Sequence, residues 1–492
     1  MNLVLYNPVS SASRKPVLPM SLLALAAALE GQVEVRIVDG NLESDPVLAL
    51  DGAIRQTGAT VLGVTVMPGP QLHDAVPVCR RLKALHPGLM IVWGGYFPTQ
   101  HWEACLRSGF VDYVVRGHGE TVFASLLAAL REGKDPARLP GVAGRGPGTG
   151  EPASNPLAPI PSPDSLPDFP YRLVDVGRYA RRTFMGERTL PHHSSYGCPF
   201  FCNFCAVVNM VGGRWLAQSA ARTAAVTRTL AERFGADAVE FYDNNFFVHE
   251  ARSAEFSERV RDLGIRWWGE ARIDTLLKYS ERTWGLMRDA GLRMAFLGAE
   301  SGSDETLRRM NKGGSASAAK TLAIAEKMRH YGIVPEFSFV LGNPPDPEGD
   351  TAATIEFVRK VKRINPAAEI ILYIYTPVPL AGELYEQARS SGFRFPETLE
   401  EWVSPLWQEF SQRRSVSMPW LSDPLRRRVH DFERVLNAYY PTVTDVKLRG
   451  FWRVVLKSVS GWRYHLRVYR HPFELRALQK LVAYQRPETS GF

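Results

Sequence analysis

Three cysteines lie within eight residues near the middle of the chain, at Cys198, Cys202 and Cys205. The Cys-x3-Cys-x2-Cys spacing lets one loop place three thiolates around a single metal centre. Four thiolates would saturate a structural zinc ion, whereas three leave one position open. The pattern therefore favours a [4Fe–4S] cluster in which one iron remains free to bind a further ligand.

Other interpretations of these cysteines are a zinc site that His192 or His193 completes, or a chance grouping in a buried loop. The two remaining cysteines, Cys79 and Cys105, fall within helix patterns of an earlier part of the chain. We interpret them as small buried apolar side chains, because free cysteine is among the most buried residue types. They are therefore poor candidates for a fourth ligand.

The elements that position the cysteine loop repeat a strand pattern followed by a helix pattern. Six such units lie within residues 186–390, with strands predicted at 192–196, 238–242, 266–269, 294–297, 336–341 and 369–375. Six units are too few to close an eight-stranded barrel, so we expect a partial (β/α)6 barrel of the TIM type. The cysteine loop directly follows the first of these strands, at the edge where such barrels carry their chemistry.

Residues 1–135 show the same alternation in a separate predicted domain. Its strand patterns cover residues 3–6, 33–38, 60–66, 90–93 and 111–115. Continuous apolar strands separated by helices indicate a parallel sheet that is covered on both faces. We therefore predict an α/β domain of the flavodoxin or Rossmann type, in which ligands bind at the carboxyl ends of the strands.

Two further regions complete the predicted organisation. Residues 136–185 are rich in Pro, Gly and Ser and predict an extended linker, while residues 391–492 predict a mostly helical, basic and aromatic region. The chain has a net charge of +8, and residues 401–492 hold 16 Lys and Arg against 8 Asp and Glu. Because the first 400 residues are balanced in charge, we expect no nucleic-acid partner.

The cysteine motif, with Phe204 before its last cysteine, resembles the signature of the radical S-adenosylmethionine (SAM) enzymes. Segments that resemble the same family follow the later strands, at residues 240–246, 270–274, 298–303, 339–344 and 376–379. The first domain, the linker and the order of the parts resemble the subgroup of this family that binds cobalamin (vitamin B12). The resemblance covers the chain from its first residue to roughly residue 385.

This resemblance implies a [4Fe–4S] cluster held by Cys198, Cys202 and Cys205, with SAM bound to the fourth iron. Reductive cleavage of SAM would then yield a 5′-deoxyadenosyl radical that removes hydrogen from an unactivated carbon. The SAM-binding candidates are Tyr196, Phe204, Asn245, Arg272, Glu300, Ser301 and Gly342. We expect Arg272 to pair with the SAM carboxylate and Glu300 to bind ribose hydroxyls or the amino group. The alternative for both residues is a mutual or local ion pair at the barrel mouth.

The resemblance also implies that the first domain holds cobalamin. The candidate contacts are Thr65, Met67, Gly69, Gly94, Gly95, Tyr96, Pro98, Thr99, Arg116, Gly117, Gly119 and Glu120. Many cobalamin domains carry Asp-x-His-x-x-Gly after the first strand, where the histidine binds cobalt, but residues 7–13 contain no histidine. We therefore expect no protein imidazole on cobalt. A flavodoxin-like domain that has lost its ligand is the alternative.

Together these features predict a cobalamin-dependent radical SAM enzyme that methylates an unactivated carbon of a natural product, a lipid or a tetrapyrrole-type small molecule. A second hypothesis is a cyclase or oxidoreductase that uses the same cofactors without net methyl transfer. A third hypothesis is a non-enzymatic corrinoid or redox sensor. The family chemistry implies an electron donor of the flavodoxin or ferredoxin type. The motifs name no catalytic residue beyond the cofactor contacts.

The C-terminal region mixes aromatic and basic residues, among them Trp452, Lys457, Trp462 and Arg467. This composition predicts a peripheral membrane contact or a lid over an apolar substrate, and the alternative is an ordinary helical cap with a solvated basic face. The sequence starts without a recognisable signal peptide, and no apolar run reaches roughly 18 residues. Because the chain has only five cysteines, we expect a cytoplasmic protein.

Overall fold

The computed structural model describes residues 2–11, 15–146, 149–312, 316–379, 382–412, 417–445 and 448–482. The chain divides into two units. The first unit comprises Met1–Tyr179, Ala206–Ala217 and Arg394–Gln412, and the second comprises Ala180–Cys205, Gln218–Phe393 and Arg413–Phe492. No helix within the described ranges is long and apolar enough to cross a membrane.

The strands of the described residues are mostly short and apolar. In chain order they are β1 (Asn2–Asn7), β2 (Glu34–Asp39), β3 (Val61–Thr65), β4 (Met90–Gly94), β5 (Tyr113–Val115), β6 (Val142–Arg145), β7 (Pro152–Ser154), β8 (Thr189–His192), β9 (Ser195–Gly197), β10 (Trp215–Ala217), β11 (Ala238–Phe241), β12 (Arg266–Ala271), β13 (Leu292–Glu300), β14 (Val334–Leu341) and β15 (Glu369–Ile374). Central strands such as β1 are buried along their length, which is typical of a sheet covered on both faces.

Helices follow most of these strands. They are α1 (Met20–Ala28), α2 (Pro46–Thr57), α3 (Pro70–Leu85), α4 (Tyr96–Gln100), α5 (Trp102–Arg107), α6 (Gly119–Arg131), α7 (Val207–Val211), α8 (Ala220–Phe234), α9 (Glu250–Val260), α10 (Ile273–Leu276), α11 (Glu281–Asp289), α12 (Asp304–Arg309), α13 (Ala318–Tyr331), α14 (Pro347–Ile364), α15 (Glu383–Ser390), α16 (Leu399–Trp402), α17 (Pro405–Gln412), α18 (Asp423–Tyr439), α19 (Gly450–Leu466) and α20 (Phe473–Leu481). Their starts match the local sequence, since the Ser219 and Ser280 side chains accept backbone N–H bonds at the first turns of α8 and α11. Gly235, in the left-handed conformation, ends α8.

The sheet of the first unit has the strand order β2-β1-β3-β4-β5-β6-β7. Strands β1 to β5 are parallel, and their order is that of flavodoxin-like folds. The predicted flavodoxin-type domain is therefore confirmed. Its core is apolar and includes Leu3, Leu5, Phe123 and Leu126, which pack between the sheet and its covering helices.

Part of the predicted linker is sheet. Strand β6 pairs antiparallel with β5, and β7 pairs antiparallel with β6. Residues 142–145 and 152–154 therefore extend the first sheet, which corrects the prediction of a linker over all of residues 136–185. The physical reason is that the edge of a parallel sheet presents unpaired N–H and C=O groups, which a following hairpin satisfies.

The sheet of the second unit contains six parallel strands in the order β15-β14-β13-β12-β11-β8. This arrangement confirms the partial (β/α)6 barrel. Its first strand lies slightly earlier than predicted, because the N–H of Ser194 donates to the Asp243 side chain at 2.6 Å instead of continuing the ladder. On β12, Trp267 packs among phenylalanines such as Phe256 on the helical side, so Trp268 faces the opposite side, the barrel interior.

The predicted C-terminal region, residues 391–492, is divided between the two units. Residues 394–412 belong to the first unit, where Trp402 lies against Phe97 and His101 with ring centroids 5.1 and 4.5 Å apart. Residues from 413 onward belong to the second unit, where Tyr439 of α18 stacks on Tyr464 of α19 at 4.5 Å. The boundary at residue 391 is corrected accordingly, because aromatic side chains in residues 394–412 are buried on the first unit.

Candidate functional site

The loop that carries the three cysteines begins directly after β9, and backbone contacts hold it in place. Gly197, at the end of β9, adopts a positive φ of 80°, which turns the chain into the loop. Within the loop, the Asn203 backbone N–H donates to the Met310 carbonyl at 3.1 Å, and its side-chain amide donates to the Arg309 carbonyl at 2.6 Å. The cysteine loop is therefore anchored through Asn203 to the end of α12.

Two N–H donors point at the cysteine sulfurs. The guanidinium of Arg272 donates to Cys202 Sγ at 3.4 Å, and the amide of Asn245 donates to Cys198 Sγ at 3.7 Å. Burial raises the pKa of Cys198, while the hydrogen bonds it accepts and the charge of Arg272 act in the opposite direction. Because N–H groups near sulfur stabilise negative charge, this set of donors fits an anionic iron–sulfur cluster.

The zinc interpretation finds no support in the part of the chain that the structure describes. Nowhere in that part do three or more His, Cys, Asp or Glu side chains form a group that would hold a single metal ion. His192 instead lies with its Nε2 3.0 Å from the Gln218 side-chain oxygen. Thiolates of a [4Fe–4S] cluster bind different irons and need not converge on one point, so the cysteine loop remains compatible with a cluster.

Arg272 follows β12, and each of its three guanidinium nitrogens has a local partner. Its Nε and Nη2 donate to the two carboxylate oxygens of Asp274 at 3.0 and 3.1 Å, and Nη2 also donates to the Lys312 carbonyl at 2.7 Å. The guanidinium carbon lies 3.8 Å from the ring centroid of Phe200. The local ion pair, which the sequence left as the alternative to SAM binding, is thus present. Arg272 connects the end of β12 to the cysteine loop.

Glu300 ends β13 in a conformation that few residues adopt. Its φ of 64° is left-handed, which costs a non-glycine residue roughly 1–2 kcal/mol. Its carboxylate forms a buried ion pair with Lys312, and the ammonium of Lys312 also lies 5.9 Å from the Phe204 ring centroid. A side chain at Gly298 would collide with this pair. Strain of this kind concentrates at functional sites.

Ser301 and Gly342 have their polar groups engaged by neighbouring elements. The Ser301 hydroxyl donates to Asp350 at 2.9 Å, and the Asn343 amide donates to the other oxygen of Asp350 at 2.8 Å. The carbonyl of Gly342 accepts the indole N–H of Trp420 at 3.0 Å. These contacts tie the ends of β13 and β14 to α14 and to the chain that follows residue 417.

Four of the SAM candidates, Asn245, Arg272, Phe204 and Glu300, are connected to the cysteine loop by contacts. Tyr196, Ser301 and Gly342 have other partners. Asn245 and Arg272 both contact cysteine sulfurs, and Phe204 shares Lys312 with Glu300. Tyr196 lies on β9 with its ring 5.4 Å from that of His193. The hydroxyl of Ser301 contacts α14 and the Ser303 N–H, and the Gly342 carbonyl contacts Trp420; none of these partners lies in the cysteine loop.

Two carboxyl groups inside the barrel, those of Glu270 and Glu336, were not predicted from the sequence. Glu270 lies on the same face of β12 as Trp268, whose indole donates to Glu336 at 3.1 Å. Burial, with the nearby charge of Asp243, raises the pKa of Glu270 to about 8. Burial also raises the pKa of Glu336, and the charges of other interior glutamates add to it. The period-two alternation of β12 was the signal that would have placed Glu270 inside.

The cobalamin candidates lie at the carboxyl ends of β3, β4 and β5, and Thr99 connects the last two. The Thr99 hydroxyl donates to the Gly95 carbonyl at 2.7 Å and accepts the Gly117 N–H at 3.0 Å. Arg116 donates to the Thr99 carbonyl at 3.3 Å and to the Ser154 hydroxyl at 3.0 Å. Gly95 and Gly117 have φ values of 101° and 76°, which glycine adopts readily.

The remaining candidates follow the same strand ends. Thr65 ends β3, Gly94 ends β4, Gly69 precedes α3, Tyr96 and Pro98 lie in α4, and Gly119 and Glu120 lie in the first turn of α6. The Met67 N–H donates to the Gln71 side chain at 2.9 Å, and the Gln71 amide donates to the Asn7 side chain at 3.0 Å. Gln71 was missed because a glutamine at the start of a helix carries no distinctive sequence signal.

The structure explains why one histidine is unsuited to binding cobalt. His101 lies among the rings of Phe97, Phe395 and Trp402, and burial lowers its pKa to about 3. Ligands of flavodoxin-like sheets bind at the carboxyl ends of the strands, and here glycines follow β3, β4 and β5 at Gly69, Gly95 and Gly117. The residues present therefore fit cobalamin bound without a protein imidazole.

Comparison with known proteins matches both domains. Residues 8–127 match the B12 binding domain family, and residues 193–358 match the Radical SAM superfamily. The chain is 26% identical over 370 residues to an uncharacterized methyltransferase, PH0819, of Pyrococcus horikoshii, covering 73% of this chain and 78% of that protein. It is 24% identical over 405 residues to the anaerobic magnesium-protoporphyrin IX monomethyl ester cyclase of Rubrivivax gelatinosus, covering 81% of this chain and 70% of that protein.

The fold is similar to a solved structure of TsrM, a radical S-adenosylmethionine methyltransferase from Kitasatospora setae, with tryptophan substrate and a SAM analogue bound. The TM-score is 0.68 at 17% identity, and the similarity covers 98% of this chain and 100% of that one. The two family matches, over residues 8–127 and 193–358, place the chain in the cobalamin-binding radical SAM enzymes. Its cofactors are a [4Fe–4S] cluster, SAM and cobalamin.

Proposed function

We propose that this enzyme methylates an unactivated carbon of a small molecule of the natural-product, lipid or tetrapyrrole type. The observation that carries the proposal is the cysteine loop with N–H donors on two of its sulfurs, in a chain that also has a cobalamin domain. When bound, the cluster and SAM supply a hydrogen-abstracting radical, and cobalamin supplies a transferable methyl group. The similarity to PH0819, which is named an uncharacterized methyltransferase, and to the methyltransferase TsrM supports methyl transfer.

The chain's own residues have separate tasks in this proposal. Cys198, Cys202 and Cys205 ligate the cluster, and Arg272 and Asn245 stabilise the thiolate charge by donating hydrogen bonds. Because N–H donors to sulfur raise the reduction potential of a cluster, they also set how readily the site accepts an electron.

We assign SAM to the strand ends next to the cysteine loop. Tyr196, Phe204 and Glu300 lie there, and the backbone of Ser301 and Gly342 completes the set of proposed contacts. The strained backbone of Glu300 and its ion pair with Lys312 support a role in positioning. Asn245 and Arg272 belong to the same proposed set: four of the five N–H groups of Arg272 have protein acceptors, and the remaining Nη1 N–H is assigned to the SAM carboxylate.

We assign cobalamin to the carboxyl ends of β3, β4 and β5 in the first unit. The proposed contacts are Thr65, Met67, Gly69, Gly94, Gly95, Tyr96, Pro98, Thr99, Arg116, Gly117, Gly119 and Glu120. The hydrogen bonds of Thr99 and Arg116 support this assignment, because they hold two of the strand-end loops in a defined shape.

A cyclase without net methyl transfer is the second candidate, because the chain is similar to the Rubrivivax cyclase over 405 residues. Anaerobic turnover with SAM that carries a deuterated methyl group separates the two reactions. Methylation adds a labelled methyl group to the product, whereas cyclisation changes hydrogen or oxygen content without label. Since the matched families and relatives are enzymes, the sensor hypothesis is not retained.

We add proposals for the electron donor, the cellular location and a membrane contact of this enzyme. The reaction consumes electrons at low potential, and we propose a flavodoxin or ferredoxin as the donor, in the cytoplasm. Turnover with a reduced flavodoxin in place of a chemical reductant tests the proposed donor.

We also propose that the C-terminal region contacts a membrane peripherally, which the exposed apolar and basic side chains of α19 and α20 support.

A further inference from the structure

Large apolar side chains are exposed mainly in one short segment of the second unit. Of twelve such residues in the described chain, seven lie between residues 451 and 481: Phe451, Val454, Trp462, Leu466, Val468, Phe473 and Leu481. Their exposed fractions range from 40% for Val468 to 80% for Leu481. Scattered single apolar residues are normal on a surface, but a concentration of this kind marks an interaction site.

The exposed residues follow helical spacing. In α19, Phe451, Val454, Trp462 and Leu466 are separated by three, eight and four residues, which places them on one face. The opposite face of α19, with Leu456, Ser460 and Tyr464, is buried against the rest of the second unit. Helix α19 therefore packs on its own unit with one face and presents a second apolar face outward.

Helix α20 repeats this arrangement on a smaller scale. Phe473 and Leu481 are eight residues apart and exposed at 66% and 80%, while Leu475 is fully buried. Between the two helices lies Val468, which is also exposed. Exposed apolar side chains thus recur in both helices and in the connection between them.

The same segment is strongly basic. Residues 449–482 contain eight Lys and Arg and a single acidic residue, Glu474. Three of these cations form ion pairs: Arg463 with Glu474, Arg467 with Glu356, and Arg476 with Asp431. The structure gives no ion pair within the described residues for the other five cations: Arg449, Arg453, Lys457, Arg470 and Lys480. Of these, Arg453 donates to backbone carbonyls such as that of Asp445, so four exposed cations remain for an external partner.

We propose that the outer faces of α19 and α20 bind the surface of an anionic lipid bilayer. Exposed Phe, Trp and Leu side chains enter the interfacial layer, and the free cations pair with anionic headgroups. A nucleic acid would match the cations but leave the apolar face in water. The proposed surface specifies the membrane contact of the previous subsection by naming its residues and its lipid class. The bilayer contact does not depend on which reaction the enzyme catalyses.

Vesicle co-sedimentation of the full chain, without turnover, tests the surface. We expect binding to vesicles that contain phosphatidylglycerol, weak binding to pure phosphatidylcholine, and a decrease with added salt. The double variant Phe451→Ser/Trp462→Ser is expected to reduce binding more than about tenfold through lost apolar burial. The double variant Lys457→Gln/Arg470→Gln is expected to reduce it about 30-fold, because each cation contributes roughly fivefold.

The matched control is Leu48→Ser/Leu406→Ser, which removes two exposed leucines of the first unit and is expected to bind like the wild type. Circular dichroism of each variant confirms that the helices still form. Equal binding by the Phe451→Ser/Trp462→Ser variant, or equal binding to neutral and anionic vesicles, would overturn the proposal. A dimer in sedimentation velocity that this variant abolishes, with no vesicle binding by the wild type, would assign the surface to self-association instead.

Discussion

Replacing Arg272 by Met separates two roles for this residue that the sequence could not distinguish. If Arg272 connects β12 to the cysteine loop, as its bonds to Asp274, Cys202 and the Lys312 carbonyl indicate, the variant loses stability and cluster. If Arg272 served mainly to pair with the SAM carboxylate, the variant would keep both and lose only SAM affinity.

The expected magnitude follows from burial. The side chains of Arg272 and Asp274 are each 7% exposed, and Asp274 has a two-point contact with the guanidinium. At an effective dielectric constant of about 20, two charges about 4 Å apart attract by about 4 kcal/mol. Removing one partner of a buried ion pair costs about 3–5 kcal/mol, because the other charge is left buried and unpaired. We therefore expect Arg272→Met to destabilise the second unit by about that amount.

The assay compares denaturant midpoints of anaerobic apoprotein and the iron bound per chain after reconstitution. The double variant Arg272→Met/Asp274→Asn should recover part of the stability, because it also removes the buried charge. Arg282→Met is the matched control, since Arg282 pairs with Glu258 on the surface and should cost less than about 1 kcal/mol. A wild-type midpoint and iron content in Arg272→Met, together with lost SAM binding, would refute the structural role.

Three further outcomes follow from the site. Because the pKa of Glu270 is raised from 4.5 to about 8, its ionisation opposes folding, and wild-type stability falls as pH rises through this range. The amount by which the melting temperature of Glu270→Gln exceeds that of the wild type should therefore be small at pH 5 and larger at pH 9; a constant difference would contradict this. Gly298→Ala should lower the melting temperature by disrupting the Glu300–Lys312 pair, at about 1–3 kcal/mol, whereas Gly285→Ala, in open space, should not. Thr99→Val should leave the Gly117 N–H without its acceptor and lower the cobalamin bound per chain, measured by absorbance, and unchanged loading would count against the assigned cradle.

Much of the functional organisation could be predicted from local sequence. The cysteine spacing predicted the cluster loop, and the apolar strand patterns predicted a flavodoxin-type domain followed by a six-stranded partial barrel. These predictions succeeded because ligand spacing and strand periodicity are properties of residues close together in the chain. The family resemblance rested on the same short segments.

The domain boundaries that were predicted wrongly belong to segments whose composition fits more than one location in the fold. Residues 142–145 and 152–154 look like linker by composition but pair with the open edge of the first sheet. Residues 394–412 look like part of a C-terminal region but bury Trp402 against His101 in the first unit. Composition describes what a segment contains, whereas its partner depends on which apolar surface or sheet edge is left uncovered.

By itself the sequence determined that three thiols share one loop and that glycines lie at the ends of parallel strands. Only the tertiary structure decided how those residues are held. Arg272 meets Cys202, which is 70 residues away in the sequence, and Lys312, which is 40 residues away. Such contacts depend on the register of neighbouring strands and on burial, and no local pattern encodes them, because each is the outcome of packing the whole barrel.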